Sequence, residues 1–415
     1  MISRRAALAL PFLATPAFAQ GPARVVVVGG GFAGATAARA LRRADPAIAV
    51  TLIETNPVYT ACPGSNEVIA GLRDLAEQRF GYQRLAAQGI TVIHATVTAI
   101  DAASRTIRLD SDAAPVPYDR MVLCSGVDLI WGAIPGYDEQ AASAMPHAWK
   151  AGAQTLLLRS QLEAMPDGGL VVISAPANPY RCPPGPYERA SLISAYLRAQ
   201  KPRAKLLLLD AKDVFSKQKL FQAAWQRLYP GTLTWVSQSE GGTVTSVDPK
   251  AMTVSTDFET YKADVACIIP PQRAGRVAQI AGVADRTGWC PVSPITFESR
   301  LVPNIHVIGD AIIAGAMPKS AFAANAQAKT CAIAIADLLQ ERTPASPRLL
   351  NTCYSLAAPR DGFSVAGVYQ PVNGVLTEIP GSGGMSPVDA PDSVRAKEAE
   401  YGAAWFGAIT HETFG

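Results

Sequence analysis

Val25-Val26-Val27-Val28-Gly29-Gly30-Gly31-Phe32-Ala33-Gly34 is the stretch on which the fold turns. Four valines in a row, with no alternation, suit a parallel strand buried on both faces. The glycines at 29, 31 and 34 give the G-x-G-x-x-G spacing, which lets backbone N–H groups approach a pyrophosphate at a helix N-terminus. Reading outward, a helix is expected through Ala35 to Arg43. A second strand, Val50-Thr51-Leu52-Ile53, ends at Glu54, where an acid accepts hydrogen bonds from an adenosine ribose. The glycine spacing alone is weak evidence. Strand, glycines, helix, strand and terminal acid in that order predict a dinucleotide-binding unit.

The remaining segments extend this plan. Met121 to Ser125 reads as a strand leading to Gly126. A second strand-and-helix series runs through Leu170-Val171-Val172-Ile173-Ser174 and Lys205-Leu206-Leu207-Leu208-Leu209-Asp210, and closes near Ala263 to Ile269. It reads as a second α/β unit inserted into the first, with Pro270-Pro271 marking the return. Where that unit should carry its own glycine loop stands Arg181-Cys182-Pro183-Pro184-Gly185-Pro186-Tyr187-Glu188. Prolines remove N–H donors and stiffen the turn, so nicotinamide binding is not expected there. Ile305-His306-Val307-Ile308 is a short strand ending in Gly309-Asp310, and a helix-like run follows from Ala321 to Leu339. From about Pro344 the chain turns Pro- and Gly-rich with Tyr, Thr and Val alternations, as in a strand-rich domain. The expected fold class is therefore α/β, with two Rossmann-like domains and a smaller strand-rich C-terminal domain. The expected boundaries are 21–130 with 270–343, 131–269, and 344–415.

Composition narrows the class. With 49% hydrophobic and 17% charged residues in 415, the chain is long enough for two or three cores and is not disordered. A formal net charge of +3 offers no electrostatic reason to expect nucleic acid. Residues 1–20 read as an export signal: Ser3-Arg4-Arg5, an apolar run from Ala6 to Phe18, and a small-residue site at Ala17-Phe18-Ala19. The run is too short to span a membrane, so no membrane insertion is expected. The paired arginines suggest the twin-arginine route and hence a periplasmic location, where disulfides persist. Seven cysteines is an odd number for an exported protein. None lies in a Cys-x-x-Cys-His haem motif, and with four histidines and no clustered ligands no metal is expected.

With these segments laid out, the chain resembles the flavoprotein (FAD-binding) subunit of flavocytochrome c sulfide dehydrogenase. That family belongs to the disulfide-reductase-like flavoproteins and is related to sulfide:quinone reductases. The resemblance is carried by Ser65-Asn66-Glu67-Val68, Pro146-His147-Ala148-Trp149-Lys150-Ala151-Gly152 and the segment from Arg181 to Ala190. Further matches are Pro270-Pro271-Gln272-Arg273-Ala274-Gly275, Asn351-Thr352-Cys353-Tyr354-Ser355 and Thr413-Phe414-Gly415. Gly309-Asp310 likewise resembles the second FAD motif of such flavoproteins, and with the N-terminal fingerprint present FAD contact is the favoured reading over a helix-capping aspartate.

The resemblance implies FAD as cofactor, bound by Gly29, Gly31, Gly34, Glu54 and Asp310 and tethered through a Cys62 thioether. A buried free thiol is the alternative for Cys62. It implies a redox-active disulfide between Cys182 and Cys353, for which a structural disulfide remains the alternative. Hydrosulfide attacking such a bond yields a persulfide and a free thiolate. Glu188 falls where the family has an active-site carboxylate, and equally where a first-turn glutamate suits a helix dipole. Trp405 matches a tryptophan close to the flavin, or simply packs. Cys124, Cys267, Cys290 and Cys331 read as buried thiols. The implied function is a periplasmic sulfide dehydrogenase that oxidises sulfide to polysulfide or sulfur. Its electrons pass to a c-type cytochrome subunit, with haem on that separate chain. A sulfide:quinone reductase is the alternative, for which the tail from Val394 to Phe414, with Glu398, Glu400 and Glu412, is a poor membrane anchor. A non-catalytic partner protein and a nicotinamide-dependent disulfide reductase are the remaining, disfavoured readings.

Overall fold

The computed structural model describes residues 21–415; the expected export signal over residues 1–20 lies outside the described residues. The first sheet is built from β1 (Arg24–Val28), β2 (Ala49–Ile53), β3 (Thr91–Ile93) and β4 (Arg120–Leu123). The second is built from β5 (Leu170–Ala175), β6 (Lys205–Asp210), β7 (Leu233–Val236) and β8 (Val265–Ile268). The chain then returns to the first sheet as β9 (Ile305–Val307), giving the parallel order β9-β4-β1-β2-β3 against β7-β6-β5-β8. The two linking passages, Val127–Leu129 and Gln272–Ala274, lie side by side as an antiparallel pair. The apolar run reads as expected, since Val25, Val26 and Val27 are at most 1% exposed.

Register explains why a site forms at one edge of the first sheet. Val28 pairs with Ile53 and with Leu123, and Leu123 pairs with Val307. The residues that follow these strands, Gly29, Glu54, Cys124 and the Gly309-Asp310 turn, therefore emerge together at the carboxyl ends. Such an edge is where open α/β sheets bind ligands.

Helix α1 (Phe32–Ala44) begins three residues earlier than the spacing suggests, with extended Gly31 as its cap. α2 (Ser65–Ala70) and α3 (Gly185–Gln200) face the cavity. α4 (Gln218–Leu228) packs in the second unit. α5 (Ala321–Leu339) matches the predicted run and lies against α1 through small residues, with Asn325 Nδ2 donating to Thr36 Oγ1 at 3.1 Å. Alanines on both helices leave room for that approach.

The C-terminal region is strand-rich, as expected: β10 (Leu349–Ala358), β11 (Asp361–Val372) and β12 (Val375–Glu378) form an antiparallel sheet. It ends in a 23-residue helix, α6 (Asp392–Phe414), whose last turn docks on the first domain. Phe414 stacks on Phe80 at 5.0 Å and on Tyr59 at 5.4 Å between centroids. Burying that ring contributes roughly 1.5–3 kcal/mol. Trp405, about two and a half turns earlier on α6, lines the cavity described next.

Candidate active site

A cavity of about 930 Å³ runs from the Gly29–Gly31 turn, past Cys62 and Trp149, to Cys182, Cys353 and Trp405. Gly29 has φ +99°, a conformation that favours glycine, and donates its N–H to Ile53 O at 2.8 Å. A Cβ at Gly34 would overlap the Gly29 carbonyl oxygen, so the helix can approach the turn only with glycine there. Gly30 N–H donates to Glu54 Oε2 at 2.6 Å and Asn56 N–H to Oε1 at 2.9 Å, fixing the Glu54 carboxylate at the rim.

Asp310 sits in a single 3-10 turn (Gly309–Ala311), with Lys319 Nζ donating to its backbone carbonyl at 2.8 Å. Its Oδ1 is buried without a hydrogen-bond partner. The same is true of Ser65 Oγ, Ser125 Oγ and Trp149 Nε1, and all four residues line the cavity. Buried polar atoms in folded proteins are normally satisfied. Four orphans on residues lining one cavity, beside a glycine turn and a ribose-type acid, fit a large polar cofactor such as FAD. Burial pushes the Asp310 carboxyl up, opposed by Arg181 and Lys319. Burial likewise lowers Lys319, to about 8.

Cys62 lies just before α2, its Sγ 3.9 Å from Trp149 O, a carbonyl that also accepts a hydrogen bond from Arg181 Nη2. The Arg181 guanidinium is opposed by burial and favoured by Cys62, Asp310, Tyr59 and Cys182, with a net upward shift. A partly buried cation thus acts on both the cysteine expected to hold the cofactor and the one expected to react.

In the loop before α3 the backbone donors that a phosphate cradle would use are missing or engaged elsewhere. Pro183, Pro184 and Pro186 have no N–H. The Cys182 N–H donates to Lys319 O at 2.9 Å, the Arg181 N–H to Gln272 Oε1 at 3.0 Å, and the Gly185 N–H to Cys182 O at 2.8 Å. The donors that remain are used within the protein. Further along the second sheet, Asp210 at the end of β6 holds the place of a ribose acid, but it is 0% exposed. It accepts from Lys212 Nζ at 2.5 Å, Tyr187 Oη at 2.7 Å and Trp235 Nε1 at 3.0 Å. Tyr187 stacks on Phe215 at 3.6 Å, filling the crevice with aromatic rings.

Cys182 has φ +58°, a strained conformation for a residue with a Cβ. A Cβ on neighbouring Gly185 would stand 2.7 Å from the Trp149 ring and 3.1 Å from Cys182 Sγ, so only glycine leaves this sulfur its room. Burial pushes the Cys182 thiol well up, with Cys353 and Glu188 adding to the shift and Lys217 and Arg181 opposing it. Cys353 comes from β10 in the C-terminal sheet, 171 positions away, and lines the same cavity; both carry free thiols. Glu188, in the first turn of α3, also lines it. Its Oε1 accepts from Leu356 N–H and its Oε2 from Asn66 Nδ2, both at 2.8 Å. Asn66 is itself oriented by Arg189 Nε, 3.1 Å from Oδ1. Burial raises the Glu188 carboxyl, opposed by these two hydrogen bonds and by Lys217. Trp405 lies near parallel to Phe322 and tilted on Tyr354, with centroids 6.4 and 6.1 Å away.

One expectation is corrected. Cys124 is not a closed-core thiol: β4 ends at Leu123, so Cys124 emerges at the sheet edge and borders the cavity. Cys267, Cys290 and Cys331 are buried, and burial holds Cys290 at about 12. Sequence reasoning missed Arg181, Asn66 and Lys217 as site residues, although the first two lie within quoted motifs.

Three stretches of the chain match known protein families. Residues 23–158 match the pyridine nucleotide-disulphide oxidoreductase family. Residues 155–270 match the central region of the sulfide dehydrogenase [flavocytochrome c] flavoprotein chain, and 345–414 the flavin-binding region of flavocytochrome c sulphide dehydrogenase. The flavoprotein chain of sulfide dehydrogenase [flavocytochrome c] from Chlorobaculum thiosulfatiphilum is 56% identical over 48 residues, covering 12% of this chain and all of that sequence. Mouse mitochondrial sulfide:quinone oxidoreductase is 24% identical over 307 residues, 69% of this chain. The match spans 65% of the mouse protein, just under two thirds of its length. Among solved structures, Aquifex aeolicus sulfide:quinone oxidoreductase superposes with a TM-score of 0.72 at 17% identity, covering 94% of this chain and 92% of that one.

Proposed function

Since the chain belongs to the family of flavocytochrome c sulfide dehydrogenase flavoprotein chains, we propose that it oxidises sulfide to polysulfide or sulfur and passes the electrons to a c-type cytochrome. The haem is carried by a separate chain, and the complex works in the periplasm. The observation that carries the reading is the convergence of Cys182, Cys353 and Glu188 on the cavity that also holds the Gly29–Gly31 turn, Glu54, Cys62 and Asp310.

In the working enzyme Cys182 and Cys353 form a disulfide. Hydrosulfide adds to one of its sulfurs; the bond between the cysteines breaks, a persulfide forms, and the other sulfur leaves as a thiolate. Glu188, pushed up by burial, takes the substrate proton at a pH closer to neutrality than an exposed glutamate would. Asn66 and Leu356 N–H hold its carboxyl in place for that transfer. When bound, FAD would supply a two-electron acceptor that can also give up electrons singly. Gly29, Gly31, Gly34, Glu54 and Asp310 would hold it, and Cys62 would be the residue that anchors it through a thioether. Trp405, with Phe322 and Tyr354, closes the cavity wall and limits water.

A quinone acceptor is the rival. Among the described residues no helix is long and apolar enough to cross a membrane. The deciding experiment adds sulfide anaerobically to purified protein and then offers either a c-type cytochrome or a soluble quinone. Rapid reduction of the cytochrome, with slow or absent quinone reduction, supports the proposal; the reverse preference overturns the acceptor assignment.

A further inference from the structure

We propose that Lys217 is the positioning residue of the Cys182–Cys353 centre: it holds the Cys353 strand in place and steadies the thiolate released when the centre opens. The inference rests on the reading of the two cysteines as a redox pair. Lys217 precedes α4 with φ +63°, a backbone conformation in which side chains with a Cβ are rare. Such outliers persist where the surroundings hold them, often at functional sites. Cys182, at φ +58°, is another.

The Lys217 side chain is 5% exposed, and its Nζ donates to Cys353 O at 2.8 Å and to Ser355 Oγ at 2.7 Å. Both acceptors are neutral. The Phe363 ring lies 5.7 Å from Nζ and adds only a weak attraction. The cation also acts across the site, favouring the charged forms of both Cys182 and Glu188. The adjacent residue on the same strand, Leu356, binds Glu188, so residues 353–356 are gripped by the cation on one side and the carboxylate on the other.

The charged and titratable groups acting on Cys182 come from every element around it. They are Cys353 on β10, Glu188 on α3, Arg181 on its own loop and Lys217 before α4. Burial and the first two disfavour a Cys182 thiolate, and the two cations favour it. When hydrosulfide opens the disulfide, one S–S bond forms as another breaks, and the departing sulfur keeps the electron pair of the broken bond. No external oxidant enters at this step. A fixed cation beside the centre lowers the energy of the thiolate product, and its tether to Cys353 O keeps the two sulfurs in register.

The test uses the FAD-loaded protein, reduced anaerobically with a phosphine and treated with iodoacetamide over a pH series. Modification of the Cys182 peptide is followed by mass spectrometry. Lys217→Met removes charge and donor; Lys217→Gln keeps a donor without charge; Lys217→Arg keeps the charge. The Met and Gln variants are expected to raise the pH midpoint of Cys182 alkylation by about one to three units, and the Arg variant to restore it. A Gln variant that titrates like the parent overturns the proposal, as does an Arg variant displaced as far as Gln. If the Met variant does not retain FAD, the Gln–Arg comparison decides alone. Alkylation needs no sulfide, so the two ideas fail separately. A flavin that sulfide does not bleach refutes the function, whereas an unshifted Gln titration with bleaching intact refutes only the role of Lys217.

Discussion

Removing the charge of Lys212 probes whether the second domain has become a sealed core instead of a nucleotide crevice. Asp210 and Lys212 are 0% and 7% exposed, and their ion pair spans 2.5 Å. Burial pushes the Lys212 ammonium below the ordinary lysine range even with Asp210 beside it. In Lys212→Met the Asp210 carboxylate keeps Tyr187 Oη and Trp235 Nε1 as donors but loses its only bonded cation among the described residues. Leaving one buried charge uncompensated costs about 3–5 kcal/mol. In Lys212→Met/Asp210→Asn the amide can still accept from Tyr187 and Trp235, and no charge remains. That double variant should lie within about 0–2 kcal/mol of the parent, since neutral replacements of buried pairs are often well tolerated. Even if Asp210→Asn alone cost nothing, the cycle therefore predicts a coupling of at least about 1 kcal/mol between the two sites. The assay is urea unfolding of the FAD-loaded protein followed by tryptophan fluorescence, because Trp235 bonds Asp210 and Trp225 lies in the same aromatic cluster. A Lys212→Met loss below about 1 kcal/mol, with additive single effects, would mean that water reaches Asp210 and the crevice is open. That outcome would refute the sealed-core account.

Three further variants probe the site. Glu188→Gln should slow anaerobic flavin reduction by sulfide about 10²–10⁴-fold, measured by stopped flow. Its stability should also respond less to pH. Because burial raises Glu188, the folded parent binds more protons than the unfolded chain as pH climbs past about 4.3, so its stability falls through that window. The Gln variant should lack this decline in denaturant titrations at stepped pH. Cys62→Ser should bind FAD that stays in the supernatant after acid precipitation, where the parent pellet remains yellow; a colourless parent pellet would remove the thioether from the account. Gly34→Ala, whose new Cβ would overlap the Gly29 carbonyl, should lose about 1–3 kcal/mol and much of its FAD, read by thermal unfolding and flavin absorbance.

Much of the fold was legible because it depends on local patterns. Four valines, three spaced glycines and Glu54 specify a strand, a tight turn, a helix and a rim acid within thirty-one residues (24–54), and the parallel register carries them to one edge. Asp310 was legible for the same reason, through a short apolar strand that ends at Gly309. The surroundings of the sulfurs were not. Lys217 sits in a turn, Phe215-Ser216-Lys217-Gln218, with no periodicity to mark it, and from a left-handed backbone it reaches Cys353 across 136 positions. Asn66 stood in a recognised segment, but its bond to Glu188 joins two helices 122 positions apart. Cys124 was misplaced because the strand ends at Leu123, two residues earlier than read, which turns a core position into a cavity wall. Local pattern locates the cofactor edge; the protonic and electrostatic environment of the cysteines exists only once three domains have assembled.

The most direct measurement is the flavin spectrum of the purified protein during anaerobic sulfide titration, run beside Cys353→Ser. The account predicts stoichiometric bleaching in the parent and at least a hundredfold slower bleaching in the variant, about 2.7 kcal/mol of barrier. A parent flavin that sulfide leaves oxidised, or a Cys353→Ser variant that bleaches as fast as the parent, would contradict it.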